Sequence, residues 1–285
     1  MKCVCFCCAP PADTPAHGIW ALLEGKEQFG LFRASVLAVE DDPSFVILTD
    51  EDTPFDEGLP DVAVNRAPVD PTEIMLERTR RQAAFLEADP LNEPVGFFDT
   101  DMLMLEAFSP LFEHDFDIAV TLRPSGRGMP VNGGLILVNN RRPALVRQFF
   151  CDLRNRMERE AKGTQREWYG DQITLANVIG DVSLPDVLGE IHEIDGVRIL
   201  FLDYASYNYS PKREHPLLWG ELSGIFLYHF KGRCRIYMRD FWQRRIAPNR
   251  GWVDRSPLTW FLAGLALEWK RKQTNPVFRA DTRRL

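Results

Sequence analysis

Two aspartates stand inside an otherwise apolar stretch of this chain. Val95-Gly-Phe-Phe98 reads as a buried strand, Asp99-Thr-Asp101 follows at once, and Met102-Leu-Met-Leu105 is apolar again. Carboxylates in such surroundings are costly unless a cation or hydrogen bonds neutralise them. At the carboxyl end of a sheet strand, where open α/β folds bind ligands, a divalent ion is the natural partner. The fold must therefore bring a strand end, two acids and a compensating positive group together. Asp50-Glu-Asp52 and Asp115-Phe-Asp117 share the spacing, so the tripeptide alone is not diagnostic. The first runs into Thr53-Pro54, Asp56 and Glu57 and reads as a flexible acidic loop. The second precedes a strand and reads as a solvated loop.

Around this stretch the periodicity alternates between strands and helices. Residues 4–7, 45–49, 61–65, 95–98, 116–122, 134–138, 197–202 and 225–230 read as strands, and residues 18–39 carry helix-like spacing. Asp70-Pro-Thr-Glu73 is a helix start, with Asp70 as cap, Pro71 in the first turn and Glu73 closing a capping box. Met75, Leu76, Thr79, Ala83 and Leu86 then share a face, which leaves Arg78 and Arg81 on other faces. A further helix from Pro143 carries Val146, Phe149, Phe150, Leu153 and Met157 at three- and four-residue spacings. This pattern predicts an α/β fold with a mostly parallel central sheet, in one domain over residues 1–250.

Several function classes are excluded. There is no Gly-x-Gly-x-x-Gly fingerprint, no Gly-x4-Gly-Lys-Ser/Thr loop and no Gly-x-Ser-x-Gly elbow. A net charge of −7 argues against a nucleic-acid partner, whose phosphates need a basic face. Cys3, Cys5 and Cys7 alternate on the first strand, too far apart along it to bridge and without zinc-site spacing. Free thiols acting as small hydrophobes imply a reducing, cytoplasmic location.

With these residues in view, Phe97-Phe-Asp-Thr-Asp-Met-Leu103 resembles the Asp-x-Asp strand end of GT-A-fold glycosyltransferases, in particular the retaining group of glycogenin and bacterial lipopolysaccharide glycosyltransferases. Four further segments agree in order. Arg81, 18 positions before Asp99, stands where the family has a nucleotide-contacting arginine. Val131-Asn-Gly-Gly-Leu-Ile-Leu-Val138 is similar to the Asn-x-Gly strand beside the donor sugar. Trp168-Tyr-Gly-Asp-Gln-Ile173 resembles the Asp-Gln site near the transferred sugar. Tyr228-His-Phe-Lys-Gly-Arg-Cys-Arg235 resembles the His-x-x-Gly-x-x-Lys ending, with Arg235 in place of the lysine.

The resemblance spans about residues 1 to 235. It implies a GT-A fold, a single Rossmann-like domain, and transfer of a sugar from a UDP-sugar, with retention, to a glycan, lipid-linked or protein acceptor. Mn2+ or Mg2+ would be held by Asp99, Asp101 and His229. The donor would be bound by Arg81, Asp99, Asn132, Gly133, Lys231, Gly232 and Arg235, and Asp171 and Gln172 would face the sugar. After the first strand, Ala9-Pro-Pro-Ala12 departs from the family's acidic or amide residues for holding the nucleoside.

Residue chemistry agrees with this assignment. A departing diphosphate accumulates negative charge, which a divalent ion and nearby cations offset. An imidazole ligand suits manganese better than an all-oxygen site does. Taken singly, the same residues fit plainer roles: His229 as a structural histidine, Asp171 as a helix cap, Asn132-Gly133-Gly134 as a turn into a strand. Two rival readings remain at this point. One is a haloacid-dehalogenase-like phosphotransferase with Asp99 as nucleophile and Gly180-Asp-Val-Ser-Leu-Pro-Asp186 as a loose match to its metal site. The other is a non-catalytic sugar-nucleotide-binding protein. Residues 251–285 read as a C-terminal helix with a basic tail, either packed on the core or, through Trp260, Trp269 and Lys270-Arg-Lys272, lying on the inner face of an anionic membrane.

Overall fold

A computed structural model of the chain describes residues 1–9, 25–55, 59, 61–123, 130–180, 187–211 and 222–247. The C-terminal helix and basic tail, and most of the segment from Gly180 to Asp186, lie outside the described residues. Of the helix expected over 18–39, only the part from Gly25 onward is described.

Eight strands form the main sheet: β1 (Lys2–Phe6), β2 (Ser44–Thr49), β3 (Val62–Arg66), β4 (Val95–Phe98), β6 (Ile118–Leu122), β7 (Val131–Val138), β8 (Ile191–Ile194) and β9 (Val197–Asp203). Their order is β3-β2-β1-β4-β7-β6-β9-β8. The pairs β3–β2, β2–β1, β1–β4 and β6–β9 are parallel, whereas β7 runs antiparallel to both neighbours and β8 antiparallel to β9. The mostly parallel α/β expectation is met. A short ribbon outside this sheet pairs β5 (Met102–Met104) with β10 (Leu227–His229).

Strand alternation divides the core into two layers. Cys3, Cys5, Phe45, Ile47 and Phe98 face one side, where α1 (Gly25–Leu37) buries Phe29, Phe32 and Val36. Val4, Val46, Leu48, Val95 and Phe97 face the other, against α2 (Ile74–Ala88), α3 (Pro143–Glu160) and α4 (Gly170–Ile179). The face expected on α3 is the buried one, with Val146, Phe149, Phe150, Leu153 and Met157 all in the interior. All six cysteines are free, and Cys3 and Cys5 are buried. Among the described residues no helix is long and apolar enough to cross a membrane.

Two expectations are corrected and one strand is added. Asp70 does cap the start before α2, accepting from the Thr72 N–H, but Glu73 pairs with Arg166 at 2.6 Å instead of closing a capping box. Strand β8 has a signal in Asp195-Gly196, whose φ values of 49° and 79° suit a two-residue hairpin turn. Asp117, in the bend just before β6, is not solvated. Its carboxylate is fully buried, bonded by Arg142 through both oxygens and by the Arg198 backbone N–H at 2.7 Å. It thereby ties β6 to β9 and to the start of α3. Asp115, with 63% of its side chain exposed, is the solvated member of the pair.

Burial alone would raise the Asp117 carboxyl, but hydrogen bonds from Arg142 and Arg198 hold it below the ordinary range. Asp117→Asn should cost about 2–3 kcal/mol in urea unfolding at neutral pH, less than the ~3–5 kcal/mol for a pair buried on both sides, because both arginines are partly exposed. Asp115→Asn should cost under about 1 kcal/mol. A depressed folded-state pKa stabilises above the unfolded value of about 3.9, and that contribution is lost as pH falls. The gap between wild type and Asp117→Asn should therefore narrow below about pH 4; a gap constant from neutral pH down to acid would contradict the assignment.

Candidate metal and nucleotide-sugar site

The parallel strands end on one edge, and the reversed strand β7 begins there. Phe98 pairs with Leu135, and the Asp99 N–H donates to the Gly134 carbonyl at 3.0 Å. Beyond Asp99 the chain enters β5, where Met102 lies opposite His229 of β10. The Phe230 N–H donates to the Asp101 carbonyl at 2.8 Å, which closes the ribbon. Tyr228, Phe230 and Phe241 pack beneath it with ring centroids 4.6–5.3 Å apart. Residues 128 positions apart in sequence thus share one corner.

Asp99, Asp101 and His229 each present one ligand atom there, all within 4.8 Å of one another. Each carboxylate is divided between two duties. Asp99 Oδ1 is 3.0 Å from Arg78 Nη2, while Oδ2 lies 3.5 Å from His229 Nε2. Asp101 Oδ2 accepts from Arg235 Nε at 2.6 Å, while Oδ1 lies 3.1 Å from the same imidazole nitrogen. One oxygen of each acid is held by an arginine, and the other faces the imidazole edge. Burial lowers the basicity of His229, reinforced by the Lys231 charge, which favours the neutral ligating form. Burial opposes ionisation of Asp101, yet with Arg235 bonded to it the carboxyl is held well below its ordinary range.

The residues present fit a divalent ion. A Cβ built on Gly134 would stand 2.6 Å from Asp99 Oδ2, 2.7 Å from Met102 Cε and 2.8 Å from His229 Cε1. The cradle is open because residue 134 has no side chain. A mixed carboxylate and imidazole donor set suits manganese.

The neighbouring expected residues fall into three groups. Asp171 and Gln172 adjoin the cluster one strand residue away, since a Cβ on Gly133 would stand 3.0 Å from Asp171 Oδ2 and 3.2 Å from Gln172 Cγ. Asp171 does not cap α4; Tyr169, in the left-handed region at φ 62°, holds that position. Burial raises the Asp171 carboxyl and Arg78, 3.5 Å away, opposes the rise. Asn132 sits within β7, not in a turn, and its Nδ2 donates to Gln172 Oε1 at 3.2 Å.

Arg81 stands apart from the cluster. It donates to the carbonyl and side chain of Asn65 at the end of β3, at 2.9 and 2.6 Å. Arg235 is bonded to Asp101, and Gly232, at φ 55°, turns the chain between His229 and Arg235. Lys231 sits over the Tyr204 ring at 4.9 Å, with Arg123 5.0 Å from that ring's centre. Burial and the Arg123 charge push Lys231 down to about 7.

Arg78 and Arg123 were missed by the sequence reading. Arg78 is buried, not on an outer face, and joins Asp99, Asp171 and the Gly133 carbonyl, the last at 2.6 Å. No apolar pattern marked it, because it stands one and two positions from Thr79 and Leu76, spacings that do not share a helix face.

No protein-family model matches the chain, and no curated protein matches it in sequence. Among solved structures it resembles the galactosyltransferase LgtC in complex with donor and acceptor sugar analogues, at 11% identity, 98% of this chain, 99% of that chain and TM-score 0.46. It also resembles the glycosyltransferase GlyE of Streptococcus pneumoniae TIGR4, at 13% identity and TM-score 0.44, covering 95% of this chain and 63% of GlyE, so it spans under two thirds of that protein. A third is a glycosyltransferase involved in glycosylation of the major capsid of PBCV-1, at 11% identity, 84% of this chain, 98% of that chain and TM-score 0.48. At this identity and overlap no reaction or substrate passes from those enzymes to this chain, and the site's own residues carry that question.

Gly134→Ala should displace Asp99 and His229 and weaken Mn2+ binding by about 10–100-fold, the loss expected when a metal site's supporting shell is disturbed. Calorimetric titration with Mn2+ tests this, with circular dichroism checking that the fold survives. Equal Mn2+ affinity in the variant and wild type would show that the cradle is not the ion's place.

Proposed function

We propose that this chain is a metal-dependent glycosyltransferase. It moves a sugar from a nucleotide-diphosphate donor, a UDP-sugar, to a glycan, lipid-linked or protein acceptor, with retention at the anomeric carbon. One observation supports this above the rest: a two-carboxylate, one-imidazole cluster lies a single strand residue from the buried Asp171 and its neighbour Gln172. The cluster suits a diphosphate with its cation, and the pair suits the sugar that the diphosphate leaves.

Bound by Asp99, Asp101 and His229, Mn2+ or Mg2+ would act as a Lewis acid on the leaving group. Lys231 and Arg123, both beside the Tyr204 ring, offer positive charge for phosphate oxygens. Gly232 lets the backbone approach that group closely. Asp171 orients a sugar hydroxyl or stabilises oxocarbenium character as the bond from C1 to the diphosphate breaks. Gln172 accepts from Asn132 through Oε1, so its Nε2 is the group that turns to the substrate. Arg81, beside Asn65 at the end of β3, takes the nucleoside side of the donor.

The phosphotransferase alternative needs a free Asp99 carboxylate as nucleophile. Here one oxygen is held by Arg78 and the other faces His229, which favours glycosyl transfer. The C-terminal segment, where peripheral contact with the inner membrane face was expected, lies outside the described residues.

A panel of nucleotide sugars assayed for Mn2+-dependent hydrolysis and transfer tests the proposal directly. Asp101→Asn should abolish metal-dependent UDP binding with the fold intact, because it removes charge without volume. Asp171→Ala should keep UDP binding and lose transfer by about 100-fold or more, as for a group acting mainly in the transition state. Metal-independent nucleotide binding, or undiminished transfer by Asp171→Ala, would refute the respective assignment.

A further inference from the structure

We propose that Asn208 is a positioning residue that fixes the tautomer of His229, and that Asn132 relays this setting from the backbone of Gly134. The inference rests on reading His229 as a metal ligand.

Asn208 is fully buried in the turn after β9, distant in sequence from every segment the motifs marked. Its side chain makes three hydrogen bonds. Its Oδ1 is 2.8 Å from His229 Nδ1, and its Nδ2 reaches Asn132 Oδ1 at 2.7 Å and Thr121 Oγ1 at 3.1 Å. An amide can be turned end for end, and an imidazole can carry its proton on either nitrogen, so the contacts alone leave two consistent patterns.

The Gly134 backbone removes that freedom. Its N–H can only donate, and it donates to Asn132 Oδ1 at 3.1 Å. Asn132 must therefore present its oxygen to Gly134 and to Asn208. Asn208 must present its nitrogen to Asn132, because the reverse would set two amide oxygens 2.7 Å apart. Thr121 agrees, since its hydroxyl donates to the Asn132 carbonyl and keeps a lone pair for Asn208. Asn208 Oδ1 then faces His229 and can only accept.

His229 Nδ1 accordingly carries the proton, and Nε2 bears its lone pair toward Asp99 and Asp101. Metal-bound histidines are commonly oriented this way by an acceptor on the far nitrogen. Without the relay, Asp101 Oδ1 at 3.1 Å from Nε2 would be the strongest acceptor in reach, and a proton placed there would block ligation.

Long-range proton–nitrogen correlation NMR on metal-free protein carrying nitrogen-15 histidine, at about pH 8 and above the ordinary imidazole range, reads the tautomer directly. The His229 signal is identified by its loss in His229→Gln. We expect the Nδ1–H form in the wild type, and an Nε2–H wild type would overturn the proposal without any variant. In Asn208→Ala the proton should move to Nε2, and Mn2+ affinity should fall by about 10–100-fold. Unchanged tautomer and affinity in that variant would overturn it too. Asn132→Asp keeps both acceptances at position 132 and should retain the Nδ1–H form; its loss would break the relay. An Nδ1–H ring in a wild type that binds no Mn2+ leaves the relay standing while the functional reading falls, so the two fail separately.

Discussion

The sharing of each carboxylate of the Asp99–Asp101 pair between an arginine and the imidazole edge is the constraint on which the rest of this structure depends. Two acids at a buried strand end repel one another and lose hydration, and neither cost is met by the apolar residues on either side. Arg78 comes from α2 and Arg235 from the turn after β10, so the two layers flanking the strand end each supply one cation. Because each arginine takes only one oxygen, neutralisation and orientation are the same contact. Burial would weaken the charge on Arg78, but Asp99 and Asp171 more than restore it, so this guanidinium stays charged in the interior.

That division of labour bears on Arg235. In the family resemblance it stands in place of a phosphate-binding lysine, yet its Nε is bonded to Asp101. A guanidinium presents several donors in a plane, so it can hold a carboxylate edge-on where an ammonium serves as a point charge. Lys231 and Arg123, gathered around Tyr204, are then the cations placed for an anion. Two like charges held close are costly, and the Arg123 charge adds to burial, the larger cause, in lowering the pKa of Lys231. A phosphate-bearing ligand would relieve it.

How far the sequence revealed this arrangement depends on how each residue is held. The strands and the buried face of α3 were legible because apolar periodicity reports burial directly. Asp99, Asp101 and His229 were legible because acids in an apolar run demand an explanation and the ordered segments supplied one. Arg78 was not, because a helical wheel sorts residues by polarity, and a buried arginine compensated from three sides looks like any surface one. Asp117 was misread for the same reason: its partners Arg142 and Arg198 lie 25 and 81 positions away, and only the fold brings them in. Asn208 had no signal at all. A lone asparagine gains its role from the amide, hydroxyl and imidazole around it, none of them near in sequence.

The reversed strand β7 explains why such distant groups agree. In a wholly parallel sheet only carboxyl ends reach the binding edge, and they expose carbonyls and loop residues. Inserting one antiparallel strand beside β4 brings the start of a strand to that edge, where its pairing with β6 breaks in a bulge between Asn132 and Ile136. At Gly133 and Gly134 that backbone takes part in the site: one carbonyl accepts from Arg78, the other from the Asp99 N–H, and an N–H orders the asparagine relay. Side chains in those places would fill the cradle, and the ladders to β4 and β6 that flank the bulge hold β7 in register. The glycine pair and the strand reversal are therefore one device, rigid where the ligands must converge and bare where an ion must fit.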